Sequence, residues 1–200
     1  MRTATLRALP RTALATPAGP PDVQADEGTL ARARAGDVDA FEALVRRHER
    51  MVFSLARHVV RDPATAEEVA QEVFLQFYRS LGQIESDAHA LFWLRRVTGH
   101  RAIDAARHEA GRPRVSLDAA PPPGVVGRQP DPWLSDALAR LVAGLPARAR
   151  TVVVLRYQED LDPTEIAAVL DVPLNTVKSQ LKRALAVLRG RAETLRGRRA

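Results

Sequence analysis

The chain has 200 residues, 46% hydrophobic but only 4% aromatic, and 30 Lys and Arg against 24 Asp and Glu give a formal charge of +6. That size and composition fit one or two small helical domains with Ala, Leu and Val cores, and the positive balance favours a polyanionic partner, nucleic acid ahead of an anionic membrane. No run reaches the roughly 18 apolar residues of a membrane span, and the absence of cysteine excludes a disulfide framework, a thiolate metal site and a cysteine nucleophile.

Residues 1–28 are rich in Ala, Thr, Pro and Arg, with no acidic residue before Asp22 and no apolar periodicity. They read as a disordered tail, either a nucleic-acid-binding arm or a segment without function, and they lack the apolar block of a secretory signal. From Leu30, an amphipathic helix is predicted: Asp37 and Asp39 put negative charge at a helix start, and Phe41, Leu44, Val45, His48, Val52, Leu55 and Val59 recur on one face. Arg61, Asp62 and Pro63 break it. Thr65 and Glu68 then read as a capping box for a second helix with Val69, Val73, Phe77 and Leu81 on one stripe. The opposite side carries Glu67, Glu68, Gln71, Glu72 and Gln76, which suits either a solvated face or a dock for a partner's arginines.

A polar turn over residues 82–89 leads to a third helix over residues 91–108, with Leu94, Val97, Ile103 and Ala106 facing inward. Arg95, Arg96, Arg101 and Arg107 lie beside Phe92 and Trp93, an interleaving that suits single-stranded bases, which need stacking and phosphate neutralisation. Taken alone, Trp93 is better explained as a core anchor. His100, Asp104 and His108 share a helix face, but nothing nearby completes a coordination shell, so neither a metal nor any other cofactor is assigned. A metal-dependent nuclease built on them is disfavoured for the same reason.

Residues 109–132 hold six of the 14 prolines and read as a semi-extended linker that divides two domains. Helices are predicted over residues 133–143, ending at Gly144, Leu145 and Pro146, and over 148–157, packed through Val152, Val153 and Leu155. The stretch 162–183 is a helix-turn-helix. Asp162 caps, Pro163 suits the first position and Glu165 closes a capping box; Ile166, Ala167 and Leu170 form the apolar side, and Asp171 can take the left-handed turn. In the second helix Asn175 reads as the cap and Val177 and Leu181 face the first, leaving Lys178, Ser179, Gln180, Lys182 and Arg183 outward, as a helix in the major groove requires. The basic residues 191–200, interrupted by Gly197, are expected to fray.

In that order, GDVDAFEALVRRHERMVF, AEEVAQEVFLQFYRSL, FWLRRV with HRAID, and LPARARTVVVLRYQEDLDPTEIAAVLDVPLNTVKSQLKRAL resemble bacterial RNA polymerase sigma factors of the sigma-seventy family, in particular the small extracytoplasmic-function group. The resemblance implies an all-α protein of two small helical domains joined by a flexible Pro-rich linker: sigma-two at residues 29–108, the linker at 109–132 and sigma-four at 133–190, flanked by tails at 1–28 and 191–200. It implies no enzyme and no cofactor, a cytoplasmic site of action without membrane insertion, and as partners core RNA polymerase through its beta-prime clamp helices and beta flap, promoter DNA and an anti-sigma protein. Carried over by position, Glu68, Gln71 and Glu72 dock polymerase; Trp93, Arg96, His100, Arg101 and Arg107 recognise and melt the minus-ten element; Lys178, Ser179, Gln180, Lys182 and Arg183 read the minus-thirty-five element. The chain departs from the group's usual pattern in having His100 for Asn, Gln180 for Arg and Asp171 for the Gly of the turn. A stand-alone helix-turn-helix regulator is the alternative, but it leaves the acidic helix of the first domain without a role.

Overall fold

The computed structural model describes residues 28–111 and 136–197, which are helical with no strand among them. The expected N-terminal tail and nearly all of the expected linker lie outside the described residues. Helix α1 (Gly28–Arg34) turns through Gly36, whose φ of 93° is open to glycine at no steric cost, into α2 (Val38–Val59). Asp37 caps α2 by accepting the Ala40 N–H at 3.1 Å. Helix α3 (Pro63–Ser80) is capped by Asp62 rather than by the Thr65–Glu68 box expected from sequence. Pro63 occupies the first turn, where no N–H is needed, so the residue before it takes the cap. The Asp62 carboxylate accepts both the Thr65 hydroxyl (2.8 Å) and its N–H (3.0 Å), and these bonds hold its pKa below the usual carboxylate value.

A 3₁₀ turn (Leu81–Gln83) leads into α4 (Asp87–Gly111), which is longer at both ends than the predicted helix over 91–108. Ser86 starts it early by accepting the His89 N–H at 3.1 Å, so much of the expected polar turn is helical. Helices α2, α3 and α4 pack around Leu44, Val52, Leu55, Val73, Phe77 and Leu94, all fully buried.

The second unit comprises α5 (Asp136–Ala143), α6 (Ala147–Tyr157), α7 (Pro163–Leu170) and α8 (Leu174–Gly197). The capping box at the start of α7 is complete: Asp162 accepts the N–H of Thr164 and Glu165, and Glu165 accepts the Asp162 N–H. Asp171 ends α7 in the left-handed region (φ 53°, ψ 51°), as its short polar side chain allows. Asn175, expected as the cap of α8, falls inside the first turn because the helix already starts at Leu174, and residues expected to fray continue it to Gly197. Asp162→Ala should unsatisfy the first turn of α7, and hydrogen exchange at the Thr164 and Glu165 amides should accelerate while α8 amides keep their protection.

The two units are packed together. One contiguous apolar core includes Leu55, Val59, Leu94 and Ile103 from the first and Val152, Leu155, Ile166 and Leu170 from the second, with a small satellite of Leu145, Val153 and Ala184 beneath α8.

Candidate nucleic-acid interface

On α8, Lys178, Ser179, Lys182 and Arg183 are exposed, one cation-rich face positioned by Val177 and Ala184 buried against the rest of the unit. Gln180 departs from the outward placement expected of it. It is half-buried and lines a cleft with His100, Asp104, Arg107, Arg148 and Leu170. At about 60 Å³ the cleft has room for water but not for a ligand of nucleotide size.

On α3, Glu68, Gln71 and Glu72 are exposed on one face, at the i, i+3 and i+4 spacing that sets side chains side by side. Glu72 accepts from Arg101 of α4 at 2.8 Å, and Arg101 also donates to Gln76 at 3.3 Å. The acidic face of α3 and the basic face of α4 therefore meet along one edge. Both ends of the Glu72–Arg101 pair are about half exposed (57% and 47%), so it adds little stability and is easily exchanged for other partners.

The residues singled out on α4 divide into three groups. Trp93 is half-buried, its ring 5.6 Å from that of Phe77, so it leans on the core while keeping an accessible edge. Arg101 and Arg107 are exposed, Arg107 within 3.5 Å of Asp104 on its own helix. Arg96 and His100 lie toward the second unit, both half-buried, with the Arg96 side chain still 40% exposed. Arg96 donates to Asp171 (3.2 Å) and to the Ala168 carbonyl (3.5 Å), and the His100 ring lies between the carbonyls of Arg96 (2.8 Å) and Leu170 (3.2 Å). A neutral imidazole can donate to only one of these two carbonyls at a time.

Further residues at this seam carry no sequence signal. Arg150 of α6 is 4% exposed and donates to the carbonyls of Val59, at the end of α2, and Leu145. Burial, the largest influence, and then Arg61 lower its pKa, while Glu109 raises it; a guanidinium nevertheless stays charged at neutral pH. Read from sequence, an arginine in a short amphipathic helix is taken for a solvated one.

His48 sits beneath the same face, 8% exposed with Nε2 lacking a hydrogen-bond partner. Burial, then the charge of Arg47, lowers its pKa from the ordinary 6.5; Asp87 opposes this and Arg95 adds to it. Below pH 6.5 the unfolded chain thus binds more protons than the folded one, so the contribution of His48 is complete above 6.5 and is lost as pH falls through its lowered folded value. Denaturation midpoints measured between about pH 7.5 and 5.5 should fall less in His48→Leu than in the unsubstituted chain.

The Sigma-70 region 2 family model matches residues 44–112, and the Sigma-70, region 4 model matches residues 135–188. The chain is 34% identical over 179 residues to the ECF RNA polymerase sigma factor SigK of Mycobacterium sp. (strain KMS), covering 86% of this chain and 93% of the relative. It is 32% identical over 165 residues to the ECF RNA polymerase sigma factor SigM of Mycobacterium tuberculosis, covering 82% and 83%. Among solved structures, CnrH in complex with the cytosolic domain of CnrY superposes with a TM-score of 0.60 at 23% identity, over 84% of this chain and 97% of that one, a likeness of fold. The chain belongs to the sigma-70 family, in its extracytoplasmic-function group, and is an RNA polymerase sigma factor.

Proposed function

We propose that this sigma factor binds core RNA polymerase through Glu68, Gln71 and Glu72 on α3, with the beta-prime clamp helices and beta flap as its contacts. It reads the minus-thirty-five element as duplex with Lys178, Ser179, Gln180, Lys182 and Arg183 of α8. It opens the minus-ten element by capturing unpaired bases with Trp93, Arg96, His100, Arg101 and Arg107 of α4. Residues 29–108 form sigma-two, 133–190 sigma-four and 109–132 the linker, with 1–28 and 191–200 as tails. Capture of an extruded base gains stacking of about 1–3 kcal/mol, which offsets an unstacking cost of similar size. Simultaneous duplex contacts tip the balance toward the open state. Catalysis belongs to the polymerase, the chain acts in the cytoplasm, and an anti-sigma protein is its regulator.

The observation that carries this reading is the order of matches, region 2 before region 4, the second of them containing the capped helix-turn-helix. A stand-alone regulator would use the second alone. Core polymerase supplemented with the chain should start RNA at discrete positions on bacterial genomic templates. Absence of any discrete start, together with tight site-specific gel shifts without polymerase, would replace this reading with the regulator.

A further inference from the structure

We propose that Lys178 and Lys182 form a site of Nζ-acylation by acyl phosphates, and that the modification switches off duplex reading by α8. The chemical claim rests on the placement of the two amines. Its consequence for DNA rests on the function proposed above.

The chain holds 28 arginines but only two lysines, and those two stand four residues apart on one helix. At that spacing their side chains lie next to each other on one face, and both are exposed. Neither amine meets a carboxylate among the described residues, whereas the exposed arginines Arg46, Arg101 and Arg107 are each paired with one. Like charges at this spacing disfavour a helix, and here no carboxylate offsets them. The pair therefore suits an anion brought from outside. A guanidinium attracts the same anion but stays protonated. Lysine can release its proton to become a nucleophile, and it is the side chain that takes up acyl groups.

An acyl phosphate joins an electrophilic carbonyl to an anionic phosphoryl group. One ammonium, helped by the exposed Arg183 that follows Lys182, holds the phosphoryl oxygens, while the other lysine, once its proton has gone to water, presents a free amine one turn away. The nitrogen lone pair adds to the carbonyl carbon, the bond from that carbon to the phosphate oxygen breaks, and inorganic phosphate leaves with the bonding pair. A neutral amide remains. One proton is released per acyl group, and neither an oxidant nor a reductant is consumed. Each transfer removes one positive charge. Arg183 does not react, so the reading face keeps it together with Ser179 and loses its two ammonium groups.

The test treats the full chain with acetyl phosphate, or in a second arm with acetyl-coenzyme A, and locates acetyl groups by peptide mass spectrometry with the N-terminal amine as internal reference. Acetyl phosphate should modify Lys178 and Lys182. Modification of the N-terminal amine alone would overturn the site, and modification of the lysines by the thioester but not by acetyl phosphate would overturn the donor. Lys178→Gln should slow acetylation of Lys182, and Lys182→Gln that of Lys178, at least about threefold relative to the N-terminal amine. Unchanged rates would overturn the pairing. Binding to a fluorescent pool of random-sequence duplexes, each sample referred to its own untreated protein, provides the DNA arm. Double acetylation should make the dependence of log K on log salt shallower by about two, one for each charge removed. In K178R/K182R, which keeps the charges but takes no acyl group there, the same treatment should leave the slope where it was. Duplex at about ten times its Kd should slow acetylation of both lysines about tenfold. Acetylated lysines with an unchanged slope would overturn the switch and leave the modification site. The mapping arm uses neither polymerase nor DNA, so its failure is separable from failure of the transcription test.

Discussion

Replacing Gln71 and Glu72 by lysine should abolish association with core RNA polymerase in a pull-down while the far-ultraviolet circular dichroism of the chain stays unchanged. Both side chains are exposed, and the ion pair that Glu72 makes with Arg101 is too solvated to hold the fold, so reversal of charge acts on the partner and not on the core. Losing a desolvated charge pair at an interface costs about 2–5 kcal/mol, and the like charges introduced here add repulsion to that loss. Unchanged association would remove α3 as the docking element. Because Glu72 also holds Arg101, engagement of the acidic face by a cationic partner would free Arg101 for a phosphate, which links the two surfaces through one side chain.

Phe77→Ala should destabilise the chain by about 3–5 kcal/mol, the largest effect expected of a single core substitution here, read as a drop in denaturation midpoint without change in slope. Phe77 is fully buried, and its ring lies 6.2 Å from Phe41 and 5.6 Å from Trp93, so one truncation opens a cavity shared by α2, α3 and α4. Trp93 would lose the surface that orients it. Single-stranded DNA binding should therefore weaken even at temperatures where the variant remains folded, and a variant with normal stability would show that the three rings do not form one packing unit.

The elements that sequence made legible are those whose signal is local. The stripe of Val69, Val73, Phe77 and Leu81 is buried as its spacing requires, and the Asp162–Glu165 box and the left-handed Asp171 follow from side-chain chemistry within a few residues. The misplaced cap at Thr65 is a competition between two local signals that proline decides. What escaped prediction is the seam. Arg150 meeting the end of α2, Glu159 meeting Arg95 and Gly99 receiving Leu170 pair residues more than 60 positions apart in the chain, and no periodicity encodes such partners. The same blindness placed Gln180 on an open surface, because helical phase gives a side chain's direction but not what stands opposite.

The length of α8 has a mechanical corollary. Its 24 residues form a rod of about 36 Å, which among the described residues is clamped by apolar contact around Val177, Leu181, Ala184 and Leu188. If the end bearing Lys178 sits in a groove, the opposite end points away from the duplex like a mast. Arg189 and Arg191, exposed along that distal part, are then held off the duplex, and the Arg191 guanidinium lies against Gly144 in the turn after α5.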